Sequence, residues 1–349
     1  MVLPPSLPML RRLASGAGLV GALALSGCGS AGHSSSSTRV AATTSRTGTA
    51  VTLTSRATTP TTGANALPGT GKPVVTIGDK NYTEQFILGQ LYLQALKAQG
   101  FSVDITQNIG PPQVFTQALK NGSLAMYPEY LGQFDTTVAH RHGHEDSRRH
   151  ALRAGQRWAG RHGLRLLAPT PFSDTDAIAV TDAFAADHHL RTLGDLRRVG
   201  ATLVIGGAAQ FQDGAPGLPS LSLHYGVAPA RFDPIAVGDQ YTELDQGNVQ
   251  AAYVNTTDGQ LASEDYRLLA DPRRIFGWGN VVPVVSTSAL AKEGPAFAAT
   301  VERVDRTLTL PIMRELNNAV DGAGQDPAAV ATQYLETHGL LRPLAPSDY

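Results

Sequence analysis

One cysteine, Cys28, stands among 349 residues, so no internal disulfide and no multi-cysteine zinc site can form. Charge is sparse and balanced: 28 Lys and Arg face 29 Asp and Glu, for a formal net charge of −1. No basic stripe recommends a nucleic acid as partner, and no acidic tail points to a cationic one. The apolar run Leu13 to Leu25 is too short for a stable membrane span. Gly206-Gly207 lacks both the dinucleotide spacing and the phosphate-loop lysine, and no Gly-x-Ser-x-Gly elbow occurs in the folded part. Asp174 and Asp176 are paired carboxylates, but nothing else supports hydrolysis. No enzyme, no cofactor and no metal site is therefore expected. His140, His142, His144 and His150, with Glu145 and Asp146, lie among arginines and read as a solvated loop entering a helix rather than as zinc ligands.

What is present begins with an export signal. Arg11 and Arg12 precede the small-residue run, which ends in Leu25-Ser26-Gly27-Cys28. That tetrapeptide resembles the lipobox of bacterial lipoproteins, which implies a signal peptide over 1–27 and a lipid-bearing Cys28. Residues 28–71 are Ser, Thr, Gly and Ala with almost no large apolar side chains. They cannot bury enough surface to offset their ordering entropy, and they are predicted to form a tether.

From Lys72 the chain alternates short apolar runs with helical segments, the signature of α/β layers. Val74 to Ile77 reads as a strand. Asn81 is placed to cap a helix that Gly100 ends, with Glu84 three residues on. Ser102 to Gln107 follows as a strand, Pro111-Pro112 opens a helix with an apolar face of Val114, Phe115, Ala118 and Leu119, and Leu124 to Tyr127 is the next strand. A fainter copy follows: a helix over Tyr241 to Gln246, Gly247, then a strand over Val249 to Tyr253. Two such units predict two lobes whose strand-end loops face one cleft. Asp176 to Thr181 and Asn280 to Ser286 read as the crossings, giving lobes of 72–175 plus 281–349 and of 176–280.

The motifs Ile77-Gly78-Asp79-Lys80-Asn81-Tyr82-Thr83-Glu84-Gln85, Gln117-Ala118-Leu119-Lys120-Asn121-Gly122, Tyr127-Pro128-Glu129-Tyr130-Leu131-Gly132, Thr257-Asp258-Gly259-Gln260 and Leu316-Asn317-Asn318-Ala319-Val320-Asp321-Gly322 resemble those of a known family. It comprises the substrate-binding proteins of glycine betaine, choline and carnitine ABC importers, the osmoprotectant branch, and the resemblance spans about Lys72 to Leu341. It implies a two-lobed periplasmic-binding-protein-like fold (type II, Venus flytrap) with two crossover strands. It further implies a monomer outside the membrane that delivers its solute to permease and ATPase subunits. The family holds quaternary ammonium groups in a tyrosine cage. Tyr130 matches one cage position, while the others fall at Asp176, Asn255 and Gly279, the last beside Trp278. Lys80 and Asn81 in the turn after the first strand, Gln113, Asp174, Gln210, Thr257 and Asn280 complete the candidate ligand contacts, with Lys80 expected to meet a carboxylate. The loss of cage aromatics leaves two alternatives open: a more polar or larger solute, or a surface sensor or adhesin that kept the fold.

Overall fold

The computed structural model describes residues 66–141 and 147–349. The expected export signal, Cys28, most of the expected tether and the histidine-rich positions 142–146 lie outside the described residues. The strands are β1 (Val74–Gly78), β2 (Ser102–Thr106), β3 (Met126–Tyr130), β4 (Leu164–Leu166), β5 (Asp176–Thr181), β6 (Val204–Gly207), β7 (Arg231–Pro234), β8 (Ala251–Asn255), β9 (Tyr266–Leu268) and β10 (Val281–Ser286). They form two mixed five-stranded sheets, ordered β2-β1-β3-β10-β4 and β7-β6-β8-β5-β9. In the first, β1 runs parallel to β2 and β3, and β10 pairs antiparallel with β3 and β4. The second repeats this plan: β6 runs parallel to β7 and β8, and β5 pairs antiparallel with β8 and β9. The chain is thus a two-lobed α/β protein in which β5 and β10 each follow a crossing from the other sheet.

Both faces of each sheet are covered, and the crossing strands show it residue by residue. Val281 and Val285 of β10 enter one core with Ile77, Leu91 and Phe297, while Val282 and Val284 enter another with Phe115, Tyr127 and Phe134. In β5, Ile178 and Val180 face one cluster and Ala177 and Ala179 the other. A strand buried on both faces reads as a continuous apolar run, and that is why these two segments stand out in the sequence.

Two strands form later than their apolar runs begin. Leu124 and Val249 are buried but only lead into the ladders, which span Met126–Tyr130 and Ala251–Asn255. Pairing with β10 and β5 sets these limits, since Tyr130 lies opposite Val281 and Asn255 opposite Asp176. Both copies shift by the same two residues, so Tyr130 and Asn255 end strands instead of lying in loops. The helix Thr83–Ala98 starts at Tyr82, with no side-chain cap, and Asn81 is exposed and caps nothing. Residues 67–71, assigned to the tether on composition, form a turn on the folded body: the Gly69 N–H donates to the Gln99 carbonyl (2.9 Å), and a Cβ on Gly69 would lie 2.3 Å from Phe101 N.

Asp79, which follows β1, is fully buried; its Oδ1 accepts from the Asn108 N–H (3.1 Å), while its Oδ2 has no partner among the described residues. Burial raises its pKa to about 6, partly offset by the Asn108 bond. The folded state therefore holds this proton more tightly than the unfolded chain does, and a penalty for ionising Asp79 grows as pH rises from about 4 to 6 and stays above that. Asp79→Asn is expected to stabilise the protein at pH 7 by about 1–3 kcal/mol and to flatten its stability over that window. Urea unfolding at pH 4, 5, 6 and 7 checks this, and an unchanged pH profile in the variant would refute it.

Candidate solute site

Six segments converge where β1, β3, β6 and β8 end and where the chain crosses between sheets, the place an open α/β sheet reserves for ligands. The crossings bind each other through backbone. The Asp174 N–H donates to the Gly279 carbonyl (2.9 Å), and the Gly279 N–H donates to Ser173 Oγ (3.1 Å). Gly132 N–H meets the Trp278 carbonyl at 2.7 Å, and Thr175 and Thr256 pair by a backbone bond of 2.9 Å.

Around this crossing lie two chambers with a shared wall. The first, about 630 Å³, is lined by Tyr82, Tyr130, Tyr253, Phe276 and Trp278 together with Asp174, Asp176 and Arg274. The second, about 520 Å³, is lined by Glu84, Asp174, Thr257, Asp258, Asn317 and Asp321, with Gln210 at its edge. Tyr82, Asp174, Tyr253 and Asn255 border both.

The aromatic chamber is far richer in rings than the sequence motifs indicate. Tyr82 and Tyr130 lie nearly parallel with centroids 6.1 Å apart, and Tyr253 stacks on Phe211 at 4.4 Å. Three tyrosine hydroxyls around the cleft are tied to carboxylates: Tyr130 to Glu84 Oε1 (2.7 Å), Tyr253 to Asp176 Oδ1 (2.6 Å) and Tyr241 to Asp258 Oδ2 (2.9 Å). The rings are thereby fixed, and negative charge stands behind them. Trp278 reaches the chamber, and one of its faces carries the Arg274 guanidinium at 4.2 Å from the centroid. Gly279 cannot carry a cage aromatic, because a Cβ there would lie 1.5 Å from the Asp174 carbonyl oxygen.

Burial pushes the carboxyl groups of Glu84, Asp174, Asp176 and Asp258 above the usual carboxylate range. For Asp174, repulsion from Glu84, Asp258 and Asp176 adds to burial, and hydrogen bonding by the Thr257 side chain works against both. For Asp176 and Asp258 the tyrosine hydroxyls oppose the rise. Clustered buried acids resist ionising together, and an arriving positive charge would favour their ionised forms.

Of the residues singled out from sequence, Tyr130, Asp174, Asp176, Asn255 and Trp278 line the aromatic chamber, and Gln210 and Thr257 line the acidic one. Lys80 does not wait for a solute carboxylate: its ammonium pairs with buried Glu129, donates to Gln133 Oε1 at 2.7 Å and lies 5.4 Å from the Tyr130 centroid. Asn280 is buried, its amide donating to the Thr170 and Phe172 carbonyls (2.9 and 2.8 Å), so it braces the crossing and lines neither chamber. Asn81 and Gln113 are exposed and line neither chamber. The sequence does not single out Tyr253, Arg274 and Phe276, and it assigns no place in the cleft to Tyr82, Glu84, Asp258 or Asn317, although all four lie inside the quoted motifs.

The chain resembles known proteins over this same region. A family model described as the substrate binding domain of ABC-type glycine betaine transport systems matches residues 73–337. A glycine-betaine-binding protein of Pseudomonas aeruginosa is 30% identical over 277 residues, covering 76% of this chain and 88% of that one. The glycine betaine-binding protein YehZ of Escherichia coli is 28% identical, covering 79% and 94%. A solved YehZ structure without ligand superposes with a TM-score of 0.65, at 27% identity over 76% of this chain and 99% of that one. The structure of a glycine betaine/carnitine/choline ABC transporter protein, 23% identical with the same two coverages, superposes at 0.71 and shows the same fold. With the family model matched over residues 73–337 and a relative 30% identical over most of both chains, the chain belongs to the family of substrate-binding domains of ABC-type glycine betaine transport systems.

Proposed function

We propose that this protein captures a quaternary ammonium solute such as glycine betaine, choline or carnitine in the aromatic chamber and delivers it to a permease and its ATPase, without chemistry on the solute. The carrying observation is the set of Tyr82, Tyr130, Tyr253 and Trp278 around one chamber backed by Asp174 and Asp176. A methylated ammonium offers no N–H, so it is held by ring faces and field, at about 0.5–2 kcal/mol per well-placed ring. Where the solute bears a carboxylate, Arg274 is its partner in the same chamber. The lobes of 72–175 plus 281–349 and of 176–280 close about the crossings at 173–176 and 278–281. A monomer presents both lobes to the permease, and lipid on Cys28 holds it at the outer face of the cell membrane. Among the described residues no helix is long and apolar enough to cross a membrane.

Isothermal titration with glycine betaine, choline and carnitine tests the reading. Saturable binding is expected, weakened tenfold or more in Tyr130→Ala, which removes a ring and the hydroxyl that donates to Glu84 Oε1, and less in Tyr130→Phe, which keeps the ring. Absence of binding for all three solutes would sink the quaternary ammonium assignment and leave the fold and family untouched.

A further inference from the structure

The capture proposed above makes no use of the acidic chamber, yet this chamber shares Tyr82, Asp174, Tyr253 and Asn255 with the aromatic one. Its size is within the range of small-molecule sites. Two of the buried polar atoms in its wall lack partners among the described residues: Asp174 Oδ1 and Asn317 Oδ1. Both are acceptors. The Asn317 amide has no freedom to turn, because its Nδ2 already donates to Glu84 Oε2 (3.2 Å) and to the Thr257 carbonyl (2.8 Å). Asn317 is only 5% exposed, so its oxygen is withdrawn from bulk water. A buried acceptor without a donor is destabilising, and that cost is recovered when a bound molecule brings an N–H.

The charge around these acceptors has the same sense. Glu84 and Asp258 face the chamber, each already accepting from a tyrosine, and Asp321 accepts from Thr83 Oγ1 at 2.5 Å. Nearby Arg314 directs its guanidinium to the Thr256 carbonyl (2.8 Å) and the Leu261 carbonyl (3.3 Å). An anionic group would meet acids and unpaired acceptors here; an ammonium or amidinium group would meet complementary partners.

We infer that the acidic chamber is a second subsite for an N–H-bearing cationic group, so that the solute is an extended molecule. Its methylated ammonium lies among the tyrosines and its protonated amine or amidine reaches Asp174 and Asn317. The inference rests on the quaternary ammonium reading of the first chamber. It differs from it in assigning the far end of the solute a donor instead of a carboxylate.

The test is calorimetric titration of the purified protein with trimethylammonium compounds carrying a two-, three- or five-carbon chain, each ending in an amine, a methyl or a carboxylate. The expected result is that at least one amine-ended member binds tenfold or more tighter than its methyl-ended counterpart and tighter than the acid of the same length. In Asp174→Asn and in Asn317→Leu that ratio is expected to fall to within threefold. Asn317 carries no charge, so the loss there reports a directed hydrogen bond and not general attraction to an acidic cleft. Equal affinity for amine and methyl ends, a preference for the carboxylate end, or a ratio that survives both substitutions would overturn the second subsite while leaving the first standing. Failure of every trimethylammonium compound to bind would remove the first reading, and the second with it.

Discussion

Gly279→Ala is expected to cost the fold about 3–5 kcal/mol and to lower the melting temperature by on the order of 10 °C. The added Cβ would lie 1.5 Å from the Asp174 carbonyl oxygen, 2.2 Å from the Asp174 carbonyl carbon and 2.8 Å from Thr175 Cγ2. The first two are backbone atoms, which no rotamer change can move aside. To admit the methyl, the crossings must separate, and the bonds joining Asp174 to Gly279 and Gly279 to Ser173 are what hold them together. Overpacking at a rigid contact is among the few single changes that reach such values. Gly160→Ala is the control, since that glycine lies within the helix Arg148–Arg161, where an added Cβ would meet nothing within 4 Å; it is expected to be neutral or slightly stabilising. Thermal melts followed by circular dichroism suffice, and a Gly279→Ala midpoint within about 2 °C of the parent would show that the crossing yields far more easily than its geometry implies. The same contact explains the ring arrangement: an aromatic side chain is impossible at 279, and neighbouring Trp278 supplies one to the chamber.

Lobes and crossings are legible in the sequence because their signals are local. The run Val281-Val282-Pro283-Val284-Val285 announces a strand covered on both faces, and Gly122 and Gly247, both at positive φ, punctuate the two copies of the repeated unit. The cleft is legible only in part, since its walls depend on partners far apart in the chain. Lys80 reads as a free cation until Glu129, 49 residues on, is placed against it. Asn280 reads as a solute contact until the Thr170 and Phe172 carbonyls arrive at its amide. Tyr253 escapes notice because the apolar run ends the strand at that residue; with the ladder carried two residues further, it joins the cleft wall and Asn255 takes the strand's end. Asn317 lies 233 residues from Glu84. No spacing rule joins them, and only the packing of the helix Leu310–Asn317 against the helix Thr83–Ala98 does.

Affinity for a cationic solute is expected to rise about tenfold or more as pH increases from the ordinary carboxylate range upward through the raised values of the cleft acids. Before the solute enters, burial and then mutual repulsion hold the carboxyl pKa values of Asp174 and Glu84 up, and burial does the same at Asp176 and Asp258. An arriving positive charge favours the ionised forms, so binding expels protons. At low pH each expelled proton must be removed against its carboxyl's raised pKa, and the cation binds weakly. As pH rises through those raised values the acids are already ionised, the cost disappears, and affinity levels off. Over the steep part the slope of log K against pH equals the number of protons released, so one proton corresponds to about tenfold per pH unit. Among the described residues, the charged groups facing the two chambers are these four acids with Asp135, Asp321, Arg141 and Arg274, and no histidine lines either. A rise centred above the ordinary carboxylate range therefore belongs to the carboxyl cluster. Titration at each pH in two buffers of different ionisation heat counts the protons directly. A flat affinity, with no protons released, would mean that the acids keep one protonation state on binding and would overturn the coupling of solute charge to the carboxyl cluster. In that case a zwitterion, whose carboxylate meets Arg274 and spares the acids, would compete on equal terms with a net cation.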